Sequence, residues 1–457
     1  IYNSGKGNIE IEDCEISGMG TNYSSEYGIY NASTGTIDIT NIKIDTRNYG
    51  IYNNSSGTVN LKQGTVKTTE TTSQGIYNKS GTITIGEAGG GVSTTEPEII
   101  GGKYGLYNGT GNIYFYDGVL KGKTEAFYGS LTATEENYDV KKETDGESYK
   151  IAYPAREALA KIGETEYYSL QDAINSIQEG NSTATAIDIV RNGVTVLQVE
   201  TGNRSIKLDL NGKEITLSHE IHNTGTLELI DSSEEQTGRL VFAEEGVYIN
   251  SSNTTYAKGI NNEGTFKLTS GQIENQKPYV NVVNNSGTVE INGGTIKTAN
   301  ATSRGVCTEA GQVKMTGGTI KGHGTGIYNN GAEGVEITGG LINMESAAAC
   351  YGVYNAKSGQ IKITSGKIVV TMTSSKSAYP VYNASNGTIE ITDGSITINA
   401  NDSSSSWRSS FGIYNASTGL IKITKGTIKE EKGRYIYFYG IYNSGKGNIE
   451  IEDCEIS

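Results

Sequence analysis

One short sequence unit recurs along almost the whole chain and limits the possible folds more than any other feature. Each copy has a GIYN-like start, a GTIEI-like middle and a Gly-containing end, as in residues 27–44, 326–342 and 380–396. Apolar and polar residues alternate within each copy, and many of the apolar ones are β-branched, which predicts strands rather than helices. A unit of about 22 residues with three short strands and one loop of variable length is typical of one coil of a parallel β-solenoid.

The composition suits this interpretation and argues against several classes of partner. The chain has 457 residues with 61 Gly, 30 Tyr and only 4 Pro, which is typical of many short strands joined by turns. The net charge of −14 argues against a nucleic-acid partner, because no basic surface is available to neutralise phosphates. No apolar run of about 18 residues is present, so no membrane segment is predicted.

The middle strand of the unit predicts which residues face the core. Its first apolar residue recurs along the second half of the chain, and the extra residues between copies fall in polar loops. Because side chains alternate across a strand, the branched residues of this strand should all point inward. The inward set includes Val289, Ile291, Ile361, Ile363, Ile389, Ile391, Ile421 and Ile423.

Stacking the coils aligns equivalent residues, and we call the residues at one position in successive coils a file. One file consists of asparagines that end the first strand, where stacked amides can hydrogen-bond from coil to coil. Its predicted members are Asn31, Asn53, Asn78, Asn108, Asn223, Asn262, Asn284, Asn329, Asn355, Asn383, Asn415 and Asn443. Several of them also lie in N-x-Ser/Thr sequons, but the ladder role fits the turn position better than a glycan does.

The residue before each of these asparagines is often a tyrosine. The predicted stack contains Tyr328, Tyr354, Tyr382, Tyr414 and Tyr442. His222 and Cys307 occupy the same position in earlier coils. A tyrosine stack could bind sugar rings, but packing of the rings against each other is the simpler interpretation.

A third file lies on the outward side of the middle strand, and its charge alternates at every step. The members are, in order, Lys267, Glu290, Lys314, Glu336, Lys362, Glu390, Lys422 and Glu450. Adjacent coils stand about 4.8 Å apart, so each charge should lie between two opposite charges. Because a slip by one coil would oppose like charges, we expect this file to specify the register more than it stabilises the fold.

The chain begins and ends with the same seventeen residues, at 1–17 and 441–457. This identity predicts a long unit in tandem copies with a period of 440 residues, seen through a window whose two ends are not natural termini. We therefore expect residues 1–130 to be the C-terminal part of one solenoid unit and residues 187–457 to be the N-terminal part of the next. Further copies of the unit, joined head to tail, are the predicted partners.

The solenoid pattern lapses between these two parts. Residues 131–159 are predicted to form an acidic connector, and residues 160–186 a strand and helix that cap the next unit. Within the cap, residues 168–180 have helical spacing, Ser169 and Asp172 resemble a capping box, and Gly180 fits a C-terminal stop. A cap is needed because an open solenoid end exposes unpaired backbone groups.

These features together resemble the right-handed parallel β-helix of the pectate-lyase type, in the variety found in large repetitive cell-surface proteins of Gram-positive bacteria. The resemblance covers nearly the whole chain and implies an all-β fold of three-strand coils. It also implies an extracellular location at a bacterial cell surface. It implies little about function, because the same solenoid hosts lyases, tailspikes and adhesins.

A search for catalytic chemistry identifies no catalytic, cofactor or metal site. The outward face where such a lyase would need clustered carboxylates carries the alternating charges instead. His219 and His222 point to opposite faces of a strand, and His323 is remote. The cysteines match no zinc or redox spacing, and free thiols are favoured over an inter-copy disulfide. These cysteines are Cys307, Cys350 and the repeated pair Cys14 and Cys454.

Two classes of function remain. The first is a non-enzymatic structural or adhesive extracellular fibre or stalk built from tandem β-solenoid units, which suits rigid stacking with variable loops. The alternative is a carbohydrate-binding or polysaccharide-degrading β-helix, with host or environmental glycans as partners, because the fold alone is compatible with both.

Overall fold

The computed structural model of the protein describes residues 1–18, 26–88, 93–134, 138–145, 149–250, 253–346, 348–373, 376–400, 408–431 and 436–457. The chain forms two compact units, Ile1–Glu157 and Ala158–Ser457. Both consist almost entirely of strands, and nearly all strand pairs are parallel. The predicted all-β solenoid with three strands per coil is therefore confirmed, while the right-handed sense of the coils stays a prediction.

The first unit contains two sheets in its described part. The first strands of its coils form a sheet of Tyr2–Asn3, Tyr27–Asn31, Tyr49–Asn53, Gln74–Asn78, Tyr104–Asn108 and Glu125–Tyr128. The other sheet comprises Ile9–Ser17, Thr36–Thr46, Thr58–Leu61, Gly64–Thr68, Thr82–Ile85, Glu98–Gly101, Asn112–Phe115, Val119–Gly122, Tyr138–Thr144 and Lys150–Arg156. Its last two strands form an antiparallel hairpin that also pairs antiparallel with Val119–Gly122. This part of the predicted connector thus belongs to the first unit.

The second unit repeats the same coil over a longer stretch. Its first strands are Val199–Glu200, Ile221–Asn223, Ala257–Asn262, Val280–Asn285, Arg304–Thr308, Thr325–Asn329, Cys350–Asn355, Ala378–Asn383, Arg408–Asn415 and Ile436–Asn443. A short antiparallel hairpin, Val247–Asn250 with Asn253–Thr255, is inserted before the third of these strands.

The second and third strands of these coils form the longest sheet, which begins with two antiparallel strands. Its members are Ala160–Ile162, Thr165–Tyr167, Thr185–Ile189, Val194–Val196, Ser205–Asp209, Glu214–Leu217, Thr226–Ile230, Arg239–Phe242, Thr265–Leu268, Gln272–Asn275, Thr288–Ile291, Thr295–Thr298, Gln312–Met315, Thr319–Gly322, Gly334–Ile337, Leu341–Ser346, Gln360–Ile363, Lys367–Met372, Ile389–Ile391, Ser395–Ala400, Ile421–Glu431 and Ile449–Ile456.

A helix, Leu170–Asn175, lies near the start of the second unit. The Ser169 side chain accepts a hydrogen bond of 3.0 Å from the Asp172 backbone N–H, as expected at a helix N-cap. Leu170 and Ile174 join the buried core of this unit. The predicted helix is thus present, while its role as a cap stays a prediction.

The core of each unit is a continuous stack of branched apolar side chains. All eight residues predicted to point inward are buried, none with more than 3% of its surface exposed. Parallel pairing stacks equivalent residues directly, for example Val335 on Ile361 and Ile361 on Ile389. Such close packing leaves little room for volume changes in the core.

Candidate functional site

The asparagine file lies inside the solenoid. Over most of its length, each side-chain amide is hydrogen-bonded to the amide of the next coil. In the second unit, Asn355 Nδ2 donates to Asn383 Oδ1 at 2.9 Å, and Asn383 Nδ2 donates to Asn415 Oδ1 at 2.9 Å. The first unit repeats the arrangement, for example from Asn53 Nδ2 to Asn78 Oδ1 at 3.0 Å. Because the amides are buried and bonded in series, these residues act as structural ladder positions.

The prediction that Asn284 belongs to this file is wrong, because Asn285 occupies the ladder position instead. Asn262 pairs with Asn285 and donates to its Oδ1 at 2.8 Å, whereas Asn284 aligns with Asn261 and Cys307 one position earlier. The register follows from Val283, which stacks on Val306 in the core. Thr308 takes the next ladder position and accepts from Asn285 through its hydroxyl at 3.3 Å. The doubled asparagine offered two alignments, and only the core register distinguishes them.

The predicted tyrosine stack is formed as a row of nearly parallel rings. Tyr328, Tyr354, Tyr382, Tyr414 and Tyr442 follow one another at ring-centroid distances between 4.9 and 5.1 Å. The first unit carries a longer row that the sequence reasoning missed. It consists of Tyr2, Tyr30, Tyr52, Tyr77, Tyr107 and Tyr128.

A second aromatic file runs beside the first, three positions earlier on the same strands. Tyr351, Tyr379, Phe411 and Tyr439 stack at 5.2 to 5.4 Å, and their rings meet the first file edge to face. Burial, with the neighbouring Tyr379, raises the pKa of Tyr351 to about 12. Its hydroxyl is therefore harder to ionise than that of an exposed tyrosine. The repeated Y-G-I-Y-N pattern was the signal for this second file.

The charge file lies in register as the sequence predicts. Each of the eight residues is paired with its neighbour of opposite sign in the next coil. Two of the contacts are direct ion pairs, Lys267 Nζ to Glu290 Oε2 at 3.1 Å and Lys362 Nζ to Glu336 Oε1 at 3.4 Å.

The alternation also extends two coils further than the sequence reasoning took it. Lys207 pairs with Glu228, and Glu228 pairs with Lys267. The file therefore alternates over ten consecutive coils. These first two members were missed because a long insertion with the hairpin Val247–Asn250 and Asn253–Thr255 separates Glu228 from Lys267.

One histidine, His222, lies between two carboxylates, and two of the cysteines, Cys307 and Cys350, are buried. His222 Nδ1 lies 2.7 Å from Glu200, and its Nε2 lies 3.3 Å from Glu263. Partial burial disfavours the charged ring, but the two carboxylates outweigh it and raise the pKa of His222. Burial raises the pKa of both the Cys307 and the Cys350 thiol to about 12, so neither is a thiolate nucleophile at neutral pH. All four cysteines have free thiols.

The two identical seventeen-residue segments form the first coil of one unit and the last coil of the other. At the start of the chain, this coil pairs with the coil that follows it, with Ile11 stacked on Ile39. At the end of the chain, it pairs with the coil that precedes it, with Ile451 stacked on Ile423. The outer side of the last coil leaves apolar residues substantially exposed, namely Ile449, Ile451 and Ile456.

Within the part of the chain that the structure describes, no three His, Cys, Asp or Glu side chains are grouped as a metal site. In that same part, no helix has the length and apolar character needed to cross a bilayer. Comparison with family models, with characterised proteins and with solved structures finds no match to this chain. The geometry of the files and of the terminal coils is therefore the basis for any functional proposal.

Proposed function

We propose that this chain is part of a non-enzymatic structural or adhesive fibre at a bacterial cell surface, built from tandem β-solenoid units. The carrying observation is that one seventeen-residue coil occurs in two contexts. Residues 1–17 pair with the coil that follows, and the identical residues 441–457 pair with the coil that precedes. In a tandem array a single copy of this coil would pair on both sides.

The two sides of this coil have complementary neighbours. On the preceding side, Glu450 lies against Lys422 and Asp453 lies against Lys425. On the following side, the residue equivalent to Asp453 is Asp13, which accepts a hydrogen bond of 2.7 Å from Asn41 Nδ2. Glu15 also pairs with Lys43 on this side, at 2.8 Å, whereas Glu10 lies against Asp38. Apolar stacking therefore fits a coil placed between these two neighbours, and most of the charge pairs do as well.

Direct stacking of two separate chains through this coil is unfavourable. Laying residues 441–457 on residues 1–17 of another chain would place Glu450 against Glu10 and Asp453 against Asp13. Like charges directly opposite one another destabilise a sheet. A covalent tandem array that shares the coil keeps one like-charge pair, Glu10 with Asp38, instead of these stacked carboxylates. We therefore propose continuous chains rather than end-to-end subunits.

A rearranged chain tests the proposal. It begins at Ala158, runs to Ser457 and continues directly with residue 18 to Glu157, so that one copy of the coil joins the two solenoids. We expect a single cooperative unfolding transition at a higher temperature than in the original chain. The gain should be on the order of 2–4 kcal/mol, because Ile449, Ile451 and Ile456 become buried.

The matched control is the same rearranged chain with these three isoleucines changed to serine, which should lose the gain. Calorimetry and urea unfolding of the original, rearranged and control chains provide the measurement. Two separate transitions at the same temperatures in the original and rearranged chains would contradict a shared coil.

A further inference from the structure

The aromatic files of the second unit begin at Tyr328 and Tyr351, and a cavity of about 580 Å³ lies at the coils just before them. In the four coils before Tyr328 the tyrosine position is held by His222, Asn261, Asn284 and Cys307. Tyr328 lines this cavity, and so does Tyr256, which belongs to neither file. Amides in place of stacked rings distinguish these coils from the coils that follow them.

Arg304 is held between the two flanking rings. Its guanidinium carbon lies 4.0 Å from the Tyr256 ring centroid and 3.8 Å from that of Tyr328. Its Nη1 also contacts Cys307 Sγ at 3.5 Å. A guanidinium fixed between two aromatic faces loses little further freedom when a ligand binds to it.

The floor of the cavity is a chain of buried amides. Asn281 Nδ2 donates to Asn284 Oδ1 at 3.1 Å, and Asn284 Nδ2 donates to Asn261 Oδ1 at 3.3 Å. Asn261 Nδ2 in turn lies 3.4 Å from Glu220 Oε1. All three asparagines have less than a tenth of their surface exposed.

This chain of amides ends in an unpaired acceptor. Asn281 is 4% exposed and lines the cavity, yet among the described residues no donor reaches its Oδ1. A buried carbonyl oxygen without a partner carries a free-energy cost, because it has lost its hydrogen bonds to water without replacing them. A ligand that supplies a hydroxyl or N–H group at this point would recover that cost.

We propose that this cavity binds a saccharide residue through a hydroxyl group donated to Asn281 Oδ1. The volume falls within the range of small-molecule sites, and the lining combines aromatic rings with amide donors and acceptors. Lys258 and Glu309 line the same cavity, so cationic and anionic groups are both present. This mixture suits a neutral polyhydroxylated ring better than a simple cation, a simple anion or an apolar molecule.

The site is independent of the fibre proposal, because all of its lining residues belong to one unit. Binding to the full chain would be measured by isothermal titration and saturation-transfer NMR. The probes are glucose, galactose, mannose and N-acetylglucosamine, each alone and as its disaccharide. We expect at least one probe to bind at a single site with millimolar affinity or tighter.

Two variants locate the site. Asn281→Leu should weaken binding at least tenfold, because it removes a hydrogen bond at a buried acceptor. Arg304→Met should also weaken binding at least tenfold, and it covers the case in which Asn281→Leu does not fold. The matched control is Tyr379→Phe, which should leave the affinity unchanged. Tyr379 occupies the same position as Arg304, three coils further along the solenoid.

The outcomes are decisive in both directions. Binding that is lost in Asn281→Leu or Arg304→Met but kept in Tyr379→Phe supports the site. Failure of every probe to bind at millimolar concentration overturns the proposal. Binding that is unaffected by both site variants, or lost equally in the control, also overturns it.

Discussion

Each buried asparagine amide of the ladder must satisfy both its oxygen and its nitrogen, and Asn355 shows how the coil does this. Its Oδ1 accepts from Asn329 Nδ2 at 2.8 Å. Its Nδ2 donates to Asn383 Oδ1 at 2.9 Å and to the Gly359 carbonyl at 2.7 Å. The amide thus connects three coils and also closes its own turn.

Removing this amide should be costly. We expect Asn355→Ala to lower the free energy of unfolding by about 2–4 kcal/mol, because it leaves buried donors and acceptors without partners. Asn386, an exposed asparagine in the next coil, provides the control, and Asn386→Ala should change stability by less than about 0.5 kcal/mol. Urea unfolding of both variants is the measurement. Equal, small losses would mean that the ladder contributes nothing to stability.

His222 makes stability depend on pH. Because Glu200 and Glu263 raise its pKa in the folded state, protonation of the ring favours folding. This contribution is fully present below the unfolded value near 6.5 and is lost as the pH rises through the folded pKa. The wild-type chain should therefore exceed His222→Gln in stability more at about pH 5.5 than at pH 8.

Melting temperatures at the two pH values test this expectation. Glu200→Gln, which removes the nearer carboxylate, should reduce the pH dependence without removing the imidazole. A stability difference between wild type and His222→Gln that is the same at both pH values, or larger at pH 8, would contradict the assignment.

At the scale of single residues, the sequence predicted the asparagine ladder but not all of its members. A run of two asparagines does not reveal which one ends the strand, and Asn285 rather than Asn284 does so. The unpaired oxygen of Asn281 could not be predicted either. Whether this oxygen is paired depends on the orientation of the neighbouring side-chain amides. A repeating sequence pattern does not specify that orientation.

At the scale of one strand and its neighbours, alternating charge specifies the pairing between coils. Glu336 lies in register between Lys314 and Lys362, and its Oε1 is 3.4 Å from Lys362 Nζ. These side chains remain partly exposed, so each pair contributes little free energy. A shift by one coil would oppose like charges along the whole file, which is a larger penalty than any one pair.

Reversing one charge should expose this effect. Glu336→Lys places three lysines in successive coils, and we expect a loss of about 0.5–2 kcal/mol at low salt. The loss should shrink in about 1 M salt, where the screening length is about 3 Å. Glu336→Gln, which removes the charge without reversing it, should cost less. An unchanged melting temperature of Glu336→Lys at low salt would mean that the charges do not interact.

Strand order and register could be predicted because the repeat presents the same residues at each step. The alternation over Lys267 to Glu450 follows directly from equivalent positions in successive copies. Lys207 and Glu228 escaped prediction because an insertion hides the spacing. The cavity lined by Tyr256 and Arg304 could not be predicted for the same reason, since Tyr256 follows the inserted hairpin.

At the scale of the whole molecule, the two units differ in length but share one coil sequence. The second unit contains ten first strands and the first unit contains six in the described part of the chain. In a tandem array these strands would follow one another through the shared coil. Ten coils and six coils that share one coil give an uninterrupted run of fifteen.

The length of this run is the last prediction. Fifteen coils at about 4.8 Å each correspond to a segment of about 72 Å. The next unit then begins with the antiparallel strands Ala160–Ile162 and Thr165–Tyr167 and the helix Leu170–Asn175. A recombinant chain with three periods of 440 residues should therefore appear in electron micrographs as rods with regularly spaced joints. Changing Ile9, Ile11 and Ile16 to serine in every shared coil is the matched control, because these residues stack on the following coil. That chain should show additional breaks at the shared coil. If the unaltered chain breaks there as often, the coil does not join the units, and the exposed face of Ile449, Ile451 and Ile456 is instead a true end of the solenoid.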